Sequence, residues 1–376
     1  MTAAITGSGM RTCLGDSAQT VKALLAGESG IGPIRYYGPG TNVTHGYHIR
    51  EDTDEERLLR CSGWLAECVA EAVRHAGVDP AVQRVTALVG TGLRELRSVE
   101  RWAHDGAPLR RHQTHFAAAV REALNGAPVE VVTVSNACAA SGHMLALGQD
   151  LLDLGEADAV VVAGCDSMSE SMLAMIGLVT AEPTTALRPF ETTRTGVLLG
   201  EGAAAVVLEP ADRAQGRTEA LVRGVGLSCD AYHETAPDVD GIVRAMTDAH
   251  TRAGVSPDQI GLVLAHGTGT ALNDPTESTA LRRVFGEDGP GPLVTGIKGA
   301  TGHTSGGAAL MSVLVAAEAL RTGQAPPVVG LDEAIPEAGS LRLVRGGPQP
   351  VDTALAQINA FGFGGVNAVT VIEVTR

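Results

Sequence analysis

Cys138 is the residue of this sequence whose type and setting best suit nucleophilic chemistry. It follows a β-branched run at residues 130–134 and precedes an apolar stretch of helical periodicity that ends near residue 155. This order predicts a thiol at a helix N-terminus, where the helix dipole lowers its pKa and favours the reactive thiolate. A lone cysteine is more often a buried apolar residue, so the local context alone leaves both interpretations open. We adopt the structural interpretation for the remaining cysteines, which are Cys13, Cys61, Cys68, Cys165 and Cys229.

Two histidines occupy positions from which they could assist such a nucleophile. His266 ends an apolar strand and opens the sequence HGTGT, and His303 follows KGATG just before a predicted helix. Either one alone could be an ordinary hydrogen-bonded loop residue. In α/β proteins, however, ligands bind at the carboxyl ends of the strands, where both histidines are expected. A thiolate that accepts an acyl group also needs donors for an oxyanion and groups that handle protons.

Lys298 and the glycine-rich segment 359–367 complete the set of candidate residues. Lys22 and Lys298 are the only lysines among 28 basic residues, which suggests that a compact ammonium is required at position 298. The segment 359–367 reads NAFGFGGVN and concentrates glycines around Phe361 and Phe363. A tight turn there could direct backbone N–H groups into a site, although an ordinary hairpin would show the same composition.

Alternating short apolar runs and longer periodic runs indicate the elements that must position these residues. This alternation predicts an α/β fold with mostly parallel, buried strands. The polar segment 210–218 separates two halves. Residues 262–269 are similar in sequence to residues 86–92, which suggests an internal duplication. The predicted strands are 2–6, 84–89, 130–134, 159–163, 203–209, 221–227, 260–265, 293–296, 341–344, 354–359 and 368–374. The predicted helices are 17–26, 55–77, 115–125, 137–155, 241–253, 274–285 and 306–322.

Composition excludes several classes of protein. The 376 residues are 44% hydrophobic, which is enough for a large core and argues against disorder. A net charge of −15 disfavours a general nucleic-acid or anionic-membrane binder. The cysteines and histidines lack metal-binding spacing, and no complete nucleotide-binding motif is present. Without an apparent signal peptide or an apolar run long enough to span a membrane, a cytoplasmic globular protein is expected.

Taken together, these motifs resemble those of the β-ketoacyl-acyl-carrier-protein synthases, the condensing enzymes of the thiolase fold. They occur in the order typical of that family and cover nearly the whole chain. The resemblance is closest to the elongating type, which has a Cys-His-His site. It implies a five-layered αβαβα fold of two pseudo-repeated halves, residues 1–210 with Cys138 and residues 211–376 with His266, Lys298 and His303. The motifs are SNACA, HGTGT, KGATGH, FGFGG, RPFE at 188–191, LGEGAAAVVLE at 199–209 and DAYHETAP at 230–237.

The resemblance also implies a chemical role for each residue of the site. Cys138 is expected to take an acyl chain from a carrier protein's phosphopantetheine thioester, with the backbone N–H groups of Cys138 and Phe363 as the oxyanion hole. His266 and His303 are expected to hold the thioester carbonyl of malonyl-carrier protein and to stabilise the enolate formed on decarboxylation. Lys298 is expected to support His303.

Further implications concern substrate delivery and partners. Phe363 is expected to act as a gate, and Thr268 and Thr270 to contact the pantetheine arm. The phosphopantetheine arm brings the substrates, so no bound cofactor or metal is expected. The partners implied are an acyl carrier protein, docked through Arg57 and Arg60, and a second chain in a homodimer or a heterodimer with a ketosynthase-like paralogue.

Some positions depart from the pattern of the family. Ser312 stands where the family usually has a glutamate that supports the lysine. The chain is shortened before Cys138 and between Cys138 and His266, which suggests an altered acyl pocket and a specialised polyketide substrate rather than housekeeping fatty-acid synthesis. Two alternatives remain open: a Cys138-dependent acyltransferase without decarboxylation, and a non-catalytic subunit of a heteromeric ketosynthase.

Overall fold

A computed structural model describes residues 2–35, 43–54, 57–179, 183–214, 216–286, 289 and 291–375. The α-helices are α1 (Ser17–Leu25), α2 (Arg60–Ala76), α3 (Leu96–Asp105), α4 (Ala117–Ala123), α5 (Ala140–Asp153), α6 (Glu170–Val179), α7 (Val239–Ala253), α8 (Asn273–Phe285), α9 (Lys298–Thr301) and α10 (Ala308–Thr322). None of the helices in the described ranges is both long and apolar enough to cross a membrane.

The strands follow the predicted order along the chain. They are β1 (Ala3–Thr12), β2 (Gly15–Asp16), β3 (Gly32–Pro33), β4 (His45–Gly46), β5 (Val85–Thr91), β6 (Glu130–Ser135), β7 (Ala159–Asp166), β8 (Gly202–Pro210), β9 (Ala220–Cys229), β10 (Leu262–Leu264), β11 (Leu293–Thr295), β12 (Gln324–Ala325), β13 (Arg342–Leu343), β14 (Gln349–Pro350), β15 (Leu355–Gly362) and β16 (Val366–Glu373). Periodicity therefore located most of the longer elements. It missed the helices α3, α6 and α9 and the two-residue strands β2, β3, β4, β12 and β14. The first two residues of the helix predicted at 55–77 lie outside the described ranges.

One continuous sheet runs through both halves, in the order β13-β11-β10-β15-β16-β9-β1-β8-β7-β5-β6. Its outer strands pair in parallel, but the central strands β16, β9, β1 and β8 pair antiparallel. The expectation of a mostly parallel sheet is thus wrong. Every residue of β8 is buried although its pairing is antiparallel. A continuous apolar run therefore indicates that a strand is buried on both faces and does not indicate its direction.

The helices form three layers around the sheet. Helices α2 and α4 cover the outer face of the first half, and α7 and α8 cover the outer face of the second. Helices α5 and α10 contact each other and lie between the two parts of the sheet, in the largest apolar cluster. This arrangement is the five-layered αβαβα architecture of the thiolase fold, and it brings the helix behind Cys138 against the helix behind His303.

Helices α2 and α7 approach the strands beneath them equally closely. A Cβ atom at Gly7 on β1 would lie 2.2 Å from the carbonyl oxygen of Ala72 on α2. At Gly226 on β9, a Cβ atom would lie 2.1 Å from the carbonyl oxygen of Ala245 on α7. Glycine at these two positions therefore lets a helix backbone rest directly on the strand.

Candidate active site

Cys138 lies in the 3-10 turn Ala137–Ala139, directly between β6 and α5. Its free thiol is half-buried. Ala137 adopts a left-handed φ of 48°, which is unusual for a residue with a side chain and marks a sharp turn at the nucleophile. The turn and helix can come this close to the sheet because Gly90 on β5 lacks a side chain, since a Cβ there would lie 2.6 Å from the backbone nitrogen of Ser141.

The pKa of the Cys138 thiol is raised to about 11, mainly because burial disfavours the thiolate. Lys298 and the backbone N–H groups of Phe363 and Cys138 act in the opposite direction, and Asp166 adds to the increase. The expectation of a lowered thiol pKa is therefore wrong for the free protein, because desolvation outweighs the helix terminus. The two N–H groups nevertheless act on the thiol, and the oxyanion hole that they are expected to form stays a prediction.

His266 follows β10, and its ring is fixed by the strand that leads to Phe363. Its Nδ1 accepts a hydrogen bond from the backbone N–H of Phe361 at 3.3 Å. Because an N–H group can only donate, the ring proton of neutral His266 must be on Nε2. The pKa of His266 lies well below its usual value, first because the ring is buried and then because Lys298 and His303 are close.

His303 lies opposite His266 and has the same tautomer. The two ring centroids are 5.4 Å apart and the rings are almost perpendicular. The Nδ1 of His303 accepts from the backbone N–H of Ser305 at 3.3 Å, which again leaves the proton on Nε2. Burial, followed by the charge of Lys298, keeps the pKa of His303 well below its usual value. At neutral pH both imidazoles are therefore uncharged hydrogen-bond donors.

Lys298 begins α9 and is 3% exposed. Its ammonium donates to the backbone carbonyl of His266 and lies 3.4 Å from the Nδ1 of that residue. Its hydrogen bonds within the described residues are thus with His266, while its charge also acts on His303. The expected support of His303 stays a prediction. Burial lowers the pKa of Lys298 to about 8, and the nearby carboxylates of Glu277 and Asp274 oppose this decrease.

Asp274 and Glu277, on α8, form an acidic support that the sequence analysis missed. Glu277 accepts from the backbone N–H groups of His266 and Gly267, and Asp274 accepts from that of Thr268. Burial raises the pKa of Asp274 to about 6. A signal was available, because two acids spaced by three residues on the helix after HGTGT must lie on one face.

The position expected to carry a glutamate holds the small hydroxyl of Ser312 instead. Ser312 is buried on α10. The carboxylates that act on Lys298 belong to Asp274 and Glu277 on α8. The absence of a glutamate at position 312 therefore does not leave the lysine without negative charge nearby.

Thr268, Thr270 and Phe363 lie at the edges of this group. The hydroxyls of Thr268 and Thr270 are 2.9 Å apart, and that of Thr270 also accepts from the backbone N–H of Asn273 at the start of α8. The Phe363 side chain is 46% exposed between β15 and β16, while its backbone N–H faces the sulfur. Gly364 and Gly365, which follow it, both have positive φ.

The structure excludes one of the two arginines predicted to dock a carrier protein. Arg60 is 3% exposed, and its guanidinium donates to Glu201 at 3.1 Å, in an ion pair buried beneath α2. A guanidinium held in this way cannot reach a partner, so the expectation for Arg60 is wrong. Arg57 has a side chain that is 43% exposed and pairs with Asp52 at 2.6 Å.

Comparisons with known proteins cover nearly the whole chain. The family model for the N-terminal domain of β-ketoacyl synthases matches residues 2–214, and the model for the C-terminal domain matches residues 219–332. Nodulation protein E of Rhizobium meliloti (strain 1021) is 32% identical, with 97% of each chain covered. The 3-oxoacyl-acyl-carrier-protein synthase 2 of Coxiella burnetii is 28% identical, with 98% of this chain and 97% of the relative covered. The solved ishigamide ketosynthase/chain length factor is 29% identical, with a TM-score of 0.90 over 100% of this chain and 99% of the other.

Proposed function

Because the chain belongs to the β-ketoacyl synthase family of condensing enzymes, we propose that it extends an acyl chain carried as a thioester on Cys138. The reaction is a decarboxylative Claisen condensation with malonyl-acyl-carrier protein, and the product is 3-ketoacyl-acyl-carrier protein. The observation that carries this proposal is the pair of facing neutral imidazoles, each with Nδ1 engaged by a backbone N–H. Both histidines can therefore donate from Nε2. Lys298, which contacts His266, also acts on the Cys138 thiol.

The first half-reaction transfers the acyl group to Cys138. The thiolate attacks the carbonyl carbon of an acyl-phosphopantetheine thioester, and the N–H groups of Cys138 and Phe363 stabilise the oxyanion. The bond from that carbon to the phosphopantetheine sulfur then breaks, and the departing thiolate takes up the proton that the Cys138 thiol has lost. The positive charge of Lys298 favours the thiolate that burial otherwise disfavours.

The second half-reaction joins the two chains. The malonyl C–C bond breaks and releases CO2, while its electron pair forms an enolate whose oxygen accepts from the Nε2–H groups of His266 and His303. The enolate carbon attacks the acyl carbonyl, and the bond to the Cys138 sulfur breaks, which returns the thiolate. Neutral donors suit this step, because an imidazolium would protonate the enolate. The malonyl group would then lose CO2 without forming the new C–C bond.

Substrates reach the site on the phosphopantetheine arm of an acyl carrier protein, past Thr268, Thr270 and the half-exposed Phe363. Arg57 remains as the candidate docking residue. The halves 1–210 and 211–376 contribute the nucleophile and the two histidines respectively. A cytoplasmic location, and assembly with a second copy or a ketosynthase-like paralogue, remain parts of this proposal.

We further propose a specialised polyketide-type acyl chain as substrate. The support is the shortening of the chain before Cys138 and between Cys138 and His266, where the pocket and its rim are expected. A solved relative that is 29% identical is a ketosynthase/chain length factor. Equal activity across ordinary saturated chain lengths would contradict this part of the proposal.

The experiment that tests the function measures intact protein mass after incubation with a panel of acyl thioesters. We expect a mass gain in the native chain and none in Cys138→Ala. The acylated protein is then given malonyl-carrier protein, and release of CO2 together with a 3-ketoacyl product is expected. Acylation without CO2 release would indicate an acyltransferase that uses another acceptor. No acylation by any donor, even with a candidate partner chain, would indicate a non-catalytic subunit.

A further inference from the structure

Asp166, the last residue of β7, is a buried carboxylate to which the proposed mechanism gives no role. It is 1% exposed. One oxygen accepts from the Thr91 hydroxyl at 2.7 Å and the Leu93 N–H at 2.8 Å. The other accepts from the N–H groups of Gly92 and Gly306, both at 2.7 Å. These four donors account for its hydrogen bonds within the described residues, and no basic side chain there pairs with it.

The bond to Gly306 crosses between the two halves of the molecule. Asp166, Thr91, Gly92 and Leu93 belong to the half that carries Cys138, whereas Gly306 lies three residues after His303. The junction has no spare room, since a Cβ at Gly306 would lie 2.4 Å from the Cα of Thr91. Asp166 therefore fixes where the chain after His303 meets the half that holds the nucleophile.

Ser305 connects the fixed position of Gly306 to the imidazole of His303. It precedes Gly306 and adopts a left-handed φ of 47°, a conformation that a serine keeps only where its surroundings impose it. In that conformation its N–H donates to the Nδ1 of His303. The hydrogen bond from Gly306 to Asp166 is the contact that holds the peptide immediately after Ser305.

We propose that Asp166 is a positioning residue for the condensation: by binding Gly306 it holds Ser305 in the conformation that keeps the His303 proton on Nε2. This inference rests on the proposed function, in which that proton is donated to the enolate. Loss of Asp166 should therefore impair decarboxylation far more than acylation of Cys138, which uses the N–H groups of Cys138 and Phe363 instead.

The ionisation of Asp166 gives the proposal a pH signature. Burial raises its pKa to about 6, and its hydrogen bonds act in the opposite direction. The titratable groups that face it are Cys138, Cys165, Glu95 and, on α2, Cys61. None of these is a cation, and residues 305–307 contribute no titratable group. Protonation below pH of about 6 weakens the acceptor, so decarboxylation should fall as the pH falls through that value.

The first test observes His303 directly and needs no catalysis. The histidines of the full-length chain are labelled with 15N, and the imidazole signals of His303 are assigned by their loss in His303→Gln. We expect the native chain to carry the proton on Nε2 at pH 7–8. In Asp166→Asn we expect a mixture of tautomers. An Asp166→Asn variant with the native pattern would overturn the proposal.

The second test compares the two half-reactions in Asp166→Asn. We expect CO2 release from malonyl-carrier protein to fall about tenfold or more, while the rate of Cys138 acylation stays within about twofold of the native rate. The control is Glu209→Gln, which alters another buried carboxylate, paired with Arg217 at 2.6 Å outside the site. For the control we expect equal losses in both half-reactions, in proportion to the loss of thermal stability. The same result for Asp166→Asn would mean a purely structural role and would overturn the proposal.

A third variant covers the case in which Asp166→Asn does not fold, and it also separates Asp166 from Asp274, whose pKa is likewise raised to about 6. Thr91→Val keeps the shape of the side chain but removes one donor to Asp166. We expect the acid limb of the decarboxylation profile to move up by about one pH unit. An unmoved limb would assign the titration to another group and overturn the pH signature. If the native chain shows no acylation or decarboxylation, the proposed function fails, and the imidazole signals still decide the role of Asp166.

Discussion

The sulfur of Cys138 is subject to two opposing influences. Burial favours the thiol, whereas the ammonium of Lys298 favours the thiolate. Because Lys298 is itself buried and has a pKa of about 8, its help weakens as the pH rises above that value. The free protein therefore holds its nucleophile mainly as the thiol, and approach of a substrate must coincide with removal of the proton.

Replacement of Lys298 by methionine should raise the thiol pKa further. One pKa unit changes the thiolate fraction about tenfold below the pKa, so iodoacetamide should alkylate Cys138 on the order of tenfold more slowly at pH 8. The measurement uses a Cys229→Ser background, because Cys229 is the exposed cysteine among the described residues. Lys22→Met, which changes the other lysine of the chain, is the matched control. Equal alkylation rates in the two lysine variants would contradict this account of the thiol.

At the scale of single elements, helix α2 is joined to the segment that leads into β8 by the buried pair Arg60 and Glu201. Arg60 also lies 5.2 Å from the centre of the Trp64 ring and donates to the backbone oxygens of Asp52 and Asp54. A guanidinium with these contacts is part of the interior. Removing it takes the guanidinium charge away from the buried carboxylate of Glu201, which keeps its hydrogen bond from the backbone N–H of Ile49.

We expect Arg60→Met to lower the free energy of unfolding by about 3–5 kcal/mol, the usual effect of breaking a buried ion pair from one side. Arg57→Met, which breaks a half-exposed pair, should lower it by less than about 1 kcal/mol. Urea denaturation of both variants measures the difference. Similar values for the two arginines would show that Arg60 is not held as described.

Strand β6 ends the sheet beside the nucleophile. It pairs with β5 on one side, and no other described strand pairs with its outer edge. Its residues Val131, Val132, Thr133 and Val134 are all partly exposed. An apolar edge strand of this length is a template for pairing with another chain, so we expect a second copy or a paralogue to pair with it.

A lysine on this edge should therefore weaken the assembly. We expect Thr133→Lys to shift the sedimentation of the purified protein from dimer toward monomer at micromolar concentration. Thr251→Lys, on the exposed face of α7, is the control and should leave the assembly intact. A dimer of unchanged stability in Thr133→Lys would place the contact between chains elsewhere.

The order of elements could be predicted from the sequence because most of them bury a continuous or periodic apolar face. Helix α3 could not be predicted in this way, because its large apolar residues Leu96, Val99 and Trp102 are outnumbered by polar and charged residues. Trp102, moreover, remains exposed. The first backbone N–H groups of helix α6 donate to the carboxylate of Glu100, a residue of α3. A cap supplied from a distant part of the chain leaves no local pattern to read.

The same reason explains which site residues were predicted. Cys138, His266 and His303 lie in short motifs whose chemistry is local. The burial of Arg60 depends on Glu201, which is 141 positions away in the chain. The pKa of Cys138 depends on how deeply the fold buries it, and the partner of Lys298 depends on how α9 meets the loop after β10. These properties appear only when the halves are assembled.

At the scale of the whole molecule, the two halves share one sheet and one core. Strand β1, from the first half, pairs with both β8 and β9, and helices α5 and α10 contact each other between the sheet faces. Each half alone would expose the surface that the other covers. We therefore expect the division near residue 210 to separate two repeats of the chain rather than two independently stable units.

A chain cut between the halves at residue 214 tests this division. We expect each half expressed alone to lack a cooperative thermal transition, because β1 loses β9 and α5 loses α10. Co-expressed halves should reassemble and recover acylation of Cys138. The measurement is the thermal melting curve of each half and of the reassembled pair. A cooperative transition in the isolated first half would show that it is a domain in its own right.

The interior of this protein holds several charged side chains. Asp166, Glu277 and Lys298 are all buried, and buried ions are often replaced by apolar residues of similar volume without loss of stability, or with a gain. A duplicated gene freed from selection for catalysis could therefore exchange them and become more robust. Among descendants of this chain, the disappearance of these interior charges would date the loss of activity, even where the surface had hardly diverged.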